Sequence, residues 1–230
     1  MLVSKQDKAK AKRGKKNKQI IYMMLAASLV VVAVMGFNII RISTKKSAGS
    51  GEVVEKTNTS SMKNDQYVIG NNPTQFQQDE FKKLTEALKG KDPNAITAAI
   101  VRCFIADYFT WTNKDGNYEV GGLQYIYGPM FTSFQEQSRW EFYKDLDLYI
   151  SQYGRENLLE VTDITLTDVV YAGKFEHYSG EEYEAYYVEA SWNYKSSSKI
   201  DVNSFQKTGY FTVVDNNGRY EIAQFFDHYD

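Results

Sequence analysis

The chain has few residues that cross-link exported domains or bind metals, since its 230 residues include one cysteine and two histidines. One cysteine cannot form an internal disulfide, so the apolar core alone must stabilise any exported domain. Cys103 lies on a helical apolar stripe, which is typical of a buried small hydrophobe. His177 and His228 lack metal-ligand spacing, and the acidic loop 176–184 lacks the Asp-x-Asp-x-Asp-Gly order of a calcium site.

The sequence also contains no Gly-rich phosphate loop and no nucleophile elbow. These patterns carry most of the sequence signal for nucleotide binding and for nucleophilic hydrolysis. We therefore predict no catalytic, cofactor-binding or metal-binding residues, and we interpret the chain as a protein without enzymatic activity.

Charge is absent from residues 19–40, a run of 22 residues that contains no Asp, Glu, Lys or Arg. A hydrocarbon core about 30 Å thick requires roughly 20 apolar residues in a helix. The preceding segment, 1–18, holds seven Lys, one Arg and one acidic residue. The pattern predicts a single transmembrane helix with a cytoplasmic N-terminus and an extracytoplasmic remainder, because basic residues stay inside.

The alternative is a cleaved secretory signal, which also places an apolar segment after a basic one. The apolar run is longer than the roughly 7–15 residues of a signal core, and no Ala-x-Ala site follows it. An uncleaved anchor in the cell membrane is the better interpretation.

Basic residues are scarce beyond Lys46, where 16 basic and 28 acidic residues give a net charge of −12. Nucleic-acid binding depends on Lys and Arg that neutralise phosphates, so this balance argues against direct DNA contact by the outer domain. The basic tail 1–18 mainly fixes topology, although it would also attract anionic lipids.

Large apolar residues are rare in the segment 41–74, which predicts a flexible linker before a domain at 75–230. Apolar spacing predicts helices at 75–88, 93–111 and 129–153, the second with Asp92 as N-cap and Pro93 at its first position. Strand-like patterns follow at 161–171, 183–194, 205–214 and 220–226, the last two joined by a turn at 215–218. Helices followed by an antiparallel meander predict an α+β domain with a curved four-stranded sheet.

This order of parts resembles the bitopic VirB-eight family of type IV secretion and conjugation systems. The resemblance rests on the anchor 19–40, the helix 95–109 and the strand at 210–214, and it covers nearly the whole chain. It implies a cone-like domain of the nuclear-transport-factor-two type that acts as a membrane-anchored assembly subunit of a DNA-transfer channel. Its expected partners are other channel subunits and further copies of itself.

One family feature is missing, because the Asn-Pro-x-Gly turn of Gram-negative members has no counterpart in the domain. The segment Asn72-Pro73-Thr74-Gln75 lacks the glycine. A contact made by that turn cannot be transferred to this chain, and the resemblance indicates a divergent member from a Gram-positive conjugative element.

Two other functions are alternatives. The first is an anchored extracytoplasmic sensor or regulatory protein, although a tail of 18 residues is too short to fold as a signalling domain. The second is a pocket-bearing cone-fold binding protein or enzyme, which would use Asp107 with a raised pKa and a tyrosine such as Tyr108. The simpler interpretation of Asp107 is a charge on the helix surface.

Aromatic residues near the Gly-rich joint at 121–122 are candidates for an interface or for core packing. They are Tyr125, Tyr127, Phe131 and Phe134. The sequence does not separate these two roles, so we assign no interface residues.

Overall fold

The structure, a computed structural model, describes residues 62–178 and 180–227. The predicted tail 1–18, the predicted span 19–40 and the linker up to residue 61 lie outside these residues. Within the described ranges no helix has the length and apolar character needed to cross a bilayer.

Residues 62–71, here called the strap, form a tight reversal before the first helix. Lys63 and Val68 make an antiparallel bridge, and the Ile69 N–H donates to the Met62 carbonyl at 3.1 Å. Tyr67 is 2% exposed and Ile69 is 4% exposed, so both belong to the core. The structure thus differs from the predicted linker, which extended to residue 74, because these two apolar side chains bind this segment to the domain.

Two helices pack together at the start of the domain. Helix α1 spans Gln75–Gly90 and begins with a capping box between Thr74 and Gln77. Helix α2 spans Pro93–Tyr108, and its Asp92 cap accepts a hydrogen bond from the Asn94 N–H. The predicted cap and first position of α2 are confirmed, while its end lies three residues earlier than residue 111.

The predicted helical region 129–153 is divided into α3, Phe131–Trp140, and α4, Leu146–Tyr153. Tyr143 lies in the break and is fully buried. Its hydroxyl donates to the Tyr108 carbonyl at 2.5 Å and accepts from the Gly121 N–H at 3.1 Å. A continuous helix could not bring this ring beneath the end of α2, so tertiary contacts override the local helical pattern.

The described residues form five antiparallel strands in one sheet, instead of the four predicted. They are β1 (Val161–Leu166), β2 (Val170–Glu176), β3 (Glu182–Tyr194), β4 (Thr208–Asn216) and β5 (Arg219–Phe226). The order is β1-β3-β4-β5, and β2 also pairs with β3. The predicted strand 161–171 is therefore two strands, which bond in succession to the two halves of the long β3.

The apolar core lies between the helices and one face of the sheet. Val188, Trp192 and Phe211 on the strands and Phe104 on α2 are at most 2% exposed. Alternate residues of β3 face the other way, and Glu189 and Ser191 are exposed there, as the pleat of a strand requires. The domain is therefore α+β, with four α-helices in the described part and a curved antiparallel sheet.

Candidate functional site

Asp107, the acidic residue considered for a pocket, is buried at the end of α2 and is 5% exposed. The interpretation as a helix-surface charge is wrong. Its carboxylate accepts hydrogen bonds from Lys114 Nζ at 2.5 Å, the Gly122 N–H at 2.9 Å, Gln124 Nε2 at 3.2 Å and Gln77 Nε2 at 3.5 Å. One carboxylate thus joins α1, α2 and the segment that follows α2.

Two glycines allow this segment to approach Asp107. A Cβ atom on Gly121 would overlap the Asp107 carbonyl oxygen, which is main chain and cannot move aside. Gly122 has φ +73°, and a Cβ there would lie 2.7 Å from the Phe104 ring. The predicted Gly-rich joint is therefore the place where the chain passes directly over α2.

The pKa of Asp107 reflects two opposing effects. Burial favours the neutral acid, but the Lys114 ammonium and the other donors outweigh it and hold the pKa of Asp107 below its ordinary value. The carboxylate is therefore ionised and saturated with donors. This is the opposite of the raised pKa that a general base of the isomerase type requires.

Tyr108 does not complete an acid-base pair with Asp107. Its hydroxyl donates to Ser138 Oγ at 3.1 Å, and its ring stacks on Phe104 and Phe142. Burial raises the pKa of Tyr108 above its ordinary value. Asp107 and Tyr108 are adjacent in sequence, but they contribute to different parts of the interior.

The polar network continues from Asp107 through Gln77. Gln77 Nε2 donates to the Ala106 carbonyl at 3.0 Å, and its Oε1 accepts from Asn113 Nδ2 at 3.0 Å. Asn113 also donates to the Asn71 carbonyl of the strap at 3.2 Å. The network therefore binds the strap to the two long helices.

A second buried carboxylate, Glu80 of α1, is 1% exposed and binds Arg102 of α2 through two hydrogen bonds at 2.7 and 3.2 Å. Arg102 Nη1 then donates to the Ile164 carbonyl of β1 at 2.8 Å. Burial opposes ionisation of Glu80, but Arg102 and Lys83 hold its pKa below the ordinary value. This ion pair stabilises the junction of both helices with the sheet.

A cavity of about 230 Å³ lies beside Asp107 and Lys114, between the strap and the segment after α2. Asn71, Glu119 and Gln124 supply further polar lining. The Asn71 Oδ1 atom is buried and lacks a hydrogen-bond partner within the described part of the chain. The cavity is lined by both polar and apolar groups and has space for water, which commonly satisfies such atoms.

Other residues considered for chemistry have structural surroundings. Cys103 is buried, and burial raises the pKa of its thiol, which disfavours the thiolate that a nucleophile needs. His177 is 8% exposed and meets the Tyr127 ring edge-on at 5.4 Å. His228 lies outside the described residues. Across 62–178 and 180–227, no three His, Cys, Asp or Glu side chains converge as metal ligands.

The candidate interface aromatics divide between core and surface. Tyr125 and Tyr127 are each 1% exposed, and Phe134 packs against the core, whereas Phe131 is 40% exposed. The sequence analysis did not identify several other large apolar side chains that are exposed, among them Trp140, Leu148, Val170, Tyr171 and Tyr178. Their spacing resembles that of core residues, so no local signal marks them as exposed.

Comparisons of the chain with protein-family models, with curated proteins and with solved structures found no match. The fold and the site alone therefore describe the class of protein. The described part is an α+β domain whose buried carboxylates Asp107 and Glu80 form ion pairs inside the domain, and several of its large apolar side chains are exposed to solvent.

Proposed function

We propose that this chain is a membrane-anchored assembly subunit of a type IV secretion-like conjugative DNA-transfer channel, and that it acts through protein-protein contacts. The order of its parts supports this proposal, because a basic tail, an apolar run and an acidic α+β domain follow one another as in the VirB-eight family. Helices on a curved antiparallel sheet are compatible with the cone-like fold of that family.

The observation that carries the proposal is the exposure of large apolar side chains on the domain. Tyr178 is 87% exposed, Trp140 73% and Leu148 61%. Aromatic side chains are enriched at protein interfaces, where they bury a large area at a small entropy cost. The exposed set therefore supports a role in binding other proteins.

The ion pairs of the two buried carboxylates support a scaffold role over the enzyme alternative. Asp107 and Glu80 are both held ionised by cations and by further donors. Neither carboxyl group has the raised pKa of a general acid or base at neutral pH. These groups stabilise a domain that presents surfaces to its partners.

In this proposal residues 19–40 anchor the chain in a Gram-positive cell membrane, with residues 1–18 in the cytoplasm and the domain outside. The domain's partners are other channel subunits, including further copies of itself. Its net charge of −12 beyond Lys46 disfavours direct contact with DNA.

Crosslinking of the full-length protein in its own membranes tests this function, with partners identified by mass spectrometry. We expect channel subunits and transport ATPases, and we expect Trp140→Ser with Leu148→Ser to reduce their recovery. Thr132→Ala with Glu136→Ala, exposed positions on α3, is the matched control. Recovery of a signalling protein alone would favour the sensor alternative and contradict the proposal.

A further inference from the structure

Strand β2 leaves one edge of the sheet open. It pairs with β3 from Val170↔Tyr187 to Glu176↔Glu182, and no other described strand or bridge bonds to its outer side. A free edge presents a row of backbone N–H and C=O groups that can pair with another strand. This edge is therefore a potential site for an added strand.

The outer sides of β5 and β1 each accept contacts from elsewhere in the domain. At β5, Ile126 makes a parallel bridge with Ile222, and the Tyr127 N–H donates to the Ile222 carbonyl at 3.0 Å. At β1, Arg102 bonds the Ile164 carbonyl. Within the described residues, β2 thus differs from β1 and β5, because no such bridge or hydrogen bond reaches its outer side.

The side chains at the start of β2 are suited to contact with a partner. Val170 and Tyr171 are each 54% exposed. They lie on opposite faces of the strand, since Val170 opposes Tyr187 and Tyr171 opposes Tyr186. An added strand would therefore find apolar surface on both of its faces.

Two features protect this edge from indiscriminate pairing. The register shifts between Tyr171 and Gly173, and Gly173 has φ +92°, which marks a bulge. Lys174 follows the bulge and is itself exposed. Bulges and edge lysines are recognised defences against aggregation, so pairing here demands a partner that complements the edge.

The charges around the edge indicate the chemistry of that partner. Lys174 Nζ forms an ion pair with Glu184 Oε1 at 3.1 Å and lies 4.0 Å from Glu182 Oε2. Glu176 and Glu182 face each other in register, and like charges in directly opposed positions are destabilising. A cationic side chain beside them would relieve this repulsion. A second copy docked edge to edge would instead add two more glutamates.

We propose that the β2 edge binds an extended, Lys- or Arg-bearing segment of another protein subunit by strand addition. The backbone of β2 supplies the pairing, Val170 and Tyr171 supply apolar contact, and Glu176 with Glu182 select a basic segment. This inference rests on the proposed function, because it assigns a surface to contacts with other channel subunits.

A photo-crosslinking phenylalanine analogue at position 171 of the full-length protein, in its own membranes, tests the proposal. We expect it to capture a peptide of another subunit that alternates apolar residues with Lys or Arg. Glu176→Lys with Glu182→Lys should reduce the yield about fivefold or more, because the reversals act on charged contacts at the interface. Glu86→Lys with Glu136→Lys, exposed helix positions, changes the net charge equally and should leave the yield unchanged.

The outcomes separate this inference from the proposed function. Capture of a second copy of the chain, or of a segment without basic residues, overturns the edge proposal. So does an unchanged yield with Glu176→Lys and Glu182→Lys. If the analogue captures nothing at position 171 but captures channel subunits at exposed Leu148, the edge proposal fails and the assembly role stands. If a basic strand comes from a protein outside the channel, the edge proposal stands and the assembly role fails.

Discussion

Charged side chains have opposite surroundings in the interior around Asp107 and at the β2 edge. Asp107 is 5% exposed and accepts four hydrogen bonds, one from a lysine that is itself buried. At the edge, Glu176 faces Glu182 across two strands, with solvent around both. Charge serves folding in the first region and is available for recognition in the second. Substitutions should therefore affect stability and binding separately.

The sharpest test of this contrast is Lys114→Met, which leaves the Asp107 carboxylate buried without its cation. Removal of one partner of a buried ion pair costs about 3–5 kcal/mol. Urea unfolding of the purified protein measures this loss. Adding Asp107→Asn should recover part of it, because no uncompensated charge then remains inside. A loss below about 1 kcal/mol would place the pair among exposed ion pairs and contradict its burial.

The close passage over α2 gives the next largest effect. Gly121→Ala places a Cβ atom against the Asp107 carbonyl, and forced shifts in a packed interior cost about 1–3 kcal/mol. Gly90→Ala is the control, since open space surrounds that position at the end of α1. It should be neutral or stabilising by up to about 1 kcal/mol. Equal losses in the two variants would argue against a steric cause.

Tyr67→Phe tests the attachment of the strap. The Tyr67 hydroxyl donates to the Tyr220 carbonyl at 2.8 Å and accepts from the Tyr220 N–H at 3.1 Å. Unsatisfied buried polar groups cost about 1–3 kcal/mol. Hydrogen exchange should become faster at Tyr220 and in the strap, but not in α3. Unchanged exchange at Tyr220 would contradict the hydrogen bonds.

Stability should fall in acid because the pKa of Glu80 in the folded protein lies below its ordinary 4.5. The unfolded chain then binds the proton first as the pH falls. The contribution of the Arg102 pair is complete above about pH 4.5 and is lost as the pH decreases through the folded value. Melting temperatures between about pH 6 and pH 3 should show a shallower decline for Glu80→Gln than for the unaltered protein. Parallel curves of melting temperature against pH for the two proteins would exclude Glu80 as a source of the acid sensitivity.

The smallest effect on stability is expected at the edge. Tyr171→Ser should change the free energy of unfolding by no more than about 0.5 kcal/mol, because substitutions of exposed residues rarely do more. Its hydroxyl contacts exposed Glu184, which adds little. A loss above about 1.5 kcal/mol in urea unfolding would assign Tyr171 to the folded core and remove the distinction between the two regions.

The sequence predicts the elements whose signals are local. The Asp92 cap, the Pro93 start of α2 and the Asn217-Gly218 turn between β4 and β5 all depend on residues a few positions apart. The alternation along β3 is equally local, because it follows from the pleat of one strand. These features required no knowledge of distant contacts.

Contacts between distant residues account for what the sequence did not predict. Asp107 follows Cys103 of the apolar stripe by four residues, but its charge indicated the helix surface. Its burial depends on Lys114 and on Gln77, 30 residues earlier. The break between α3 and α4 depends on Tyr143 reaching the end of α2. The open edge depends on how β1 and β2 share β3, which no single segment encodes.

The strap has a mechanical consequence. Besides the Tyr67 hydroxyl bonds, Arg219 lies 4.4 Å above the Tyr67 ring and donates to the Gln66 carbonyl. Asn64 of the strap also donates to Thr85 Oγ1 of α1 at 3.2 Å. A pull on the chain before the strap would therefore load α1 through Asn64 and the β4–β5 hairpin through Gln66 and Tyr67. The strap thus divides such a load between a helix and the sheet.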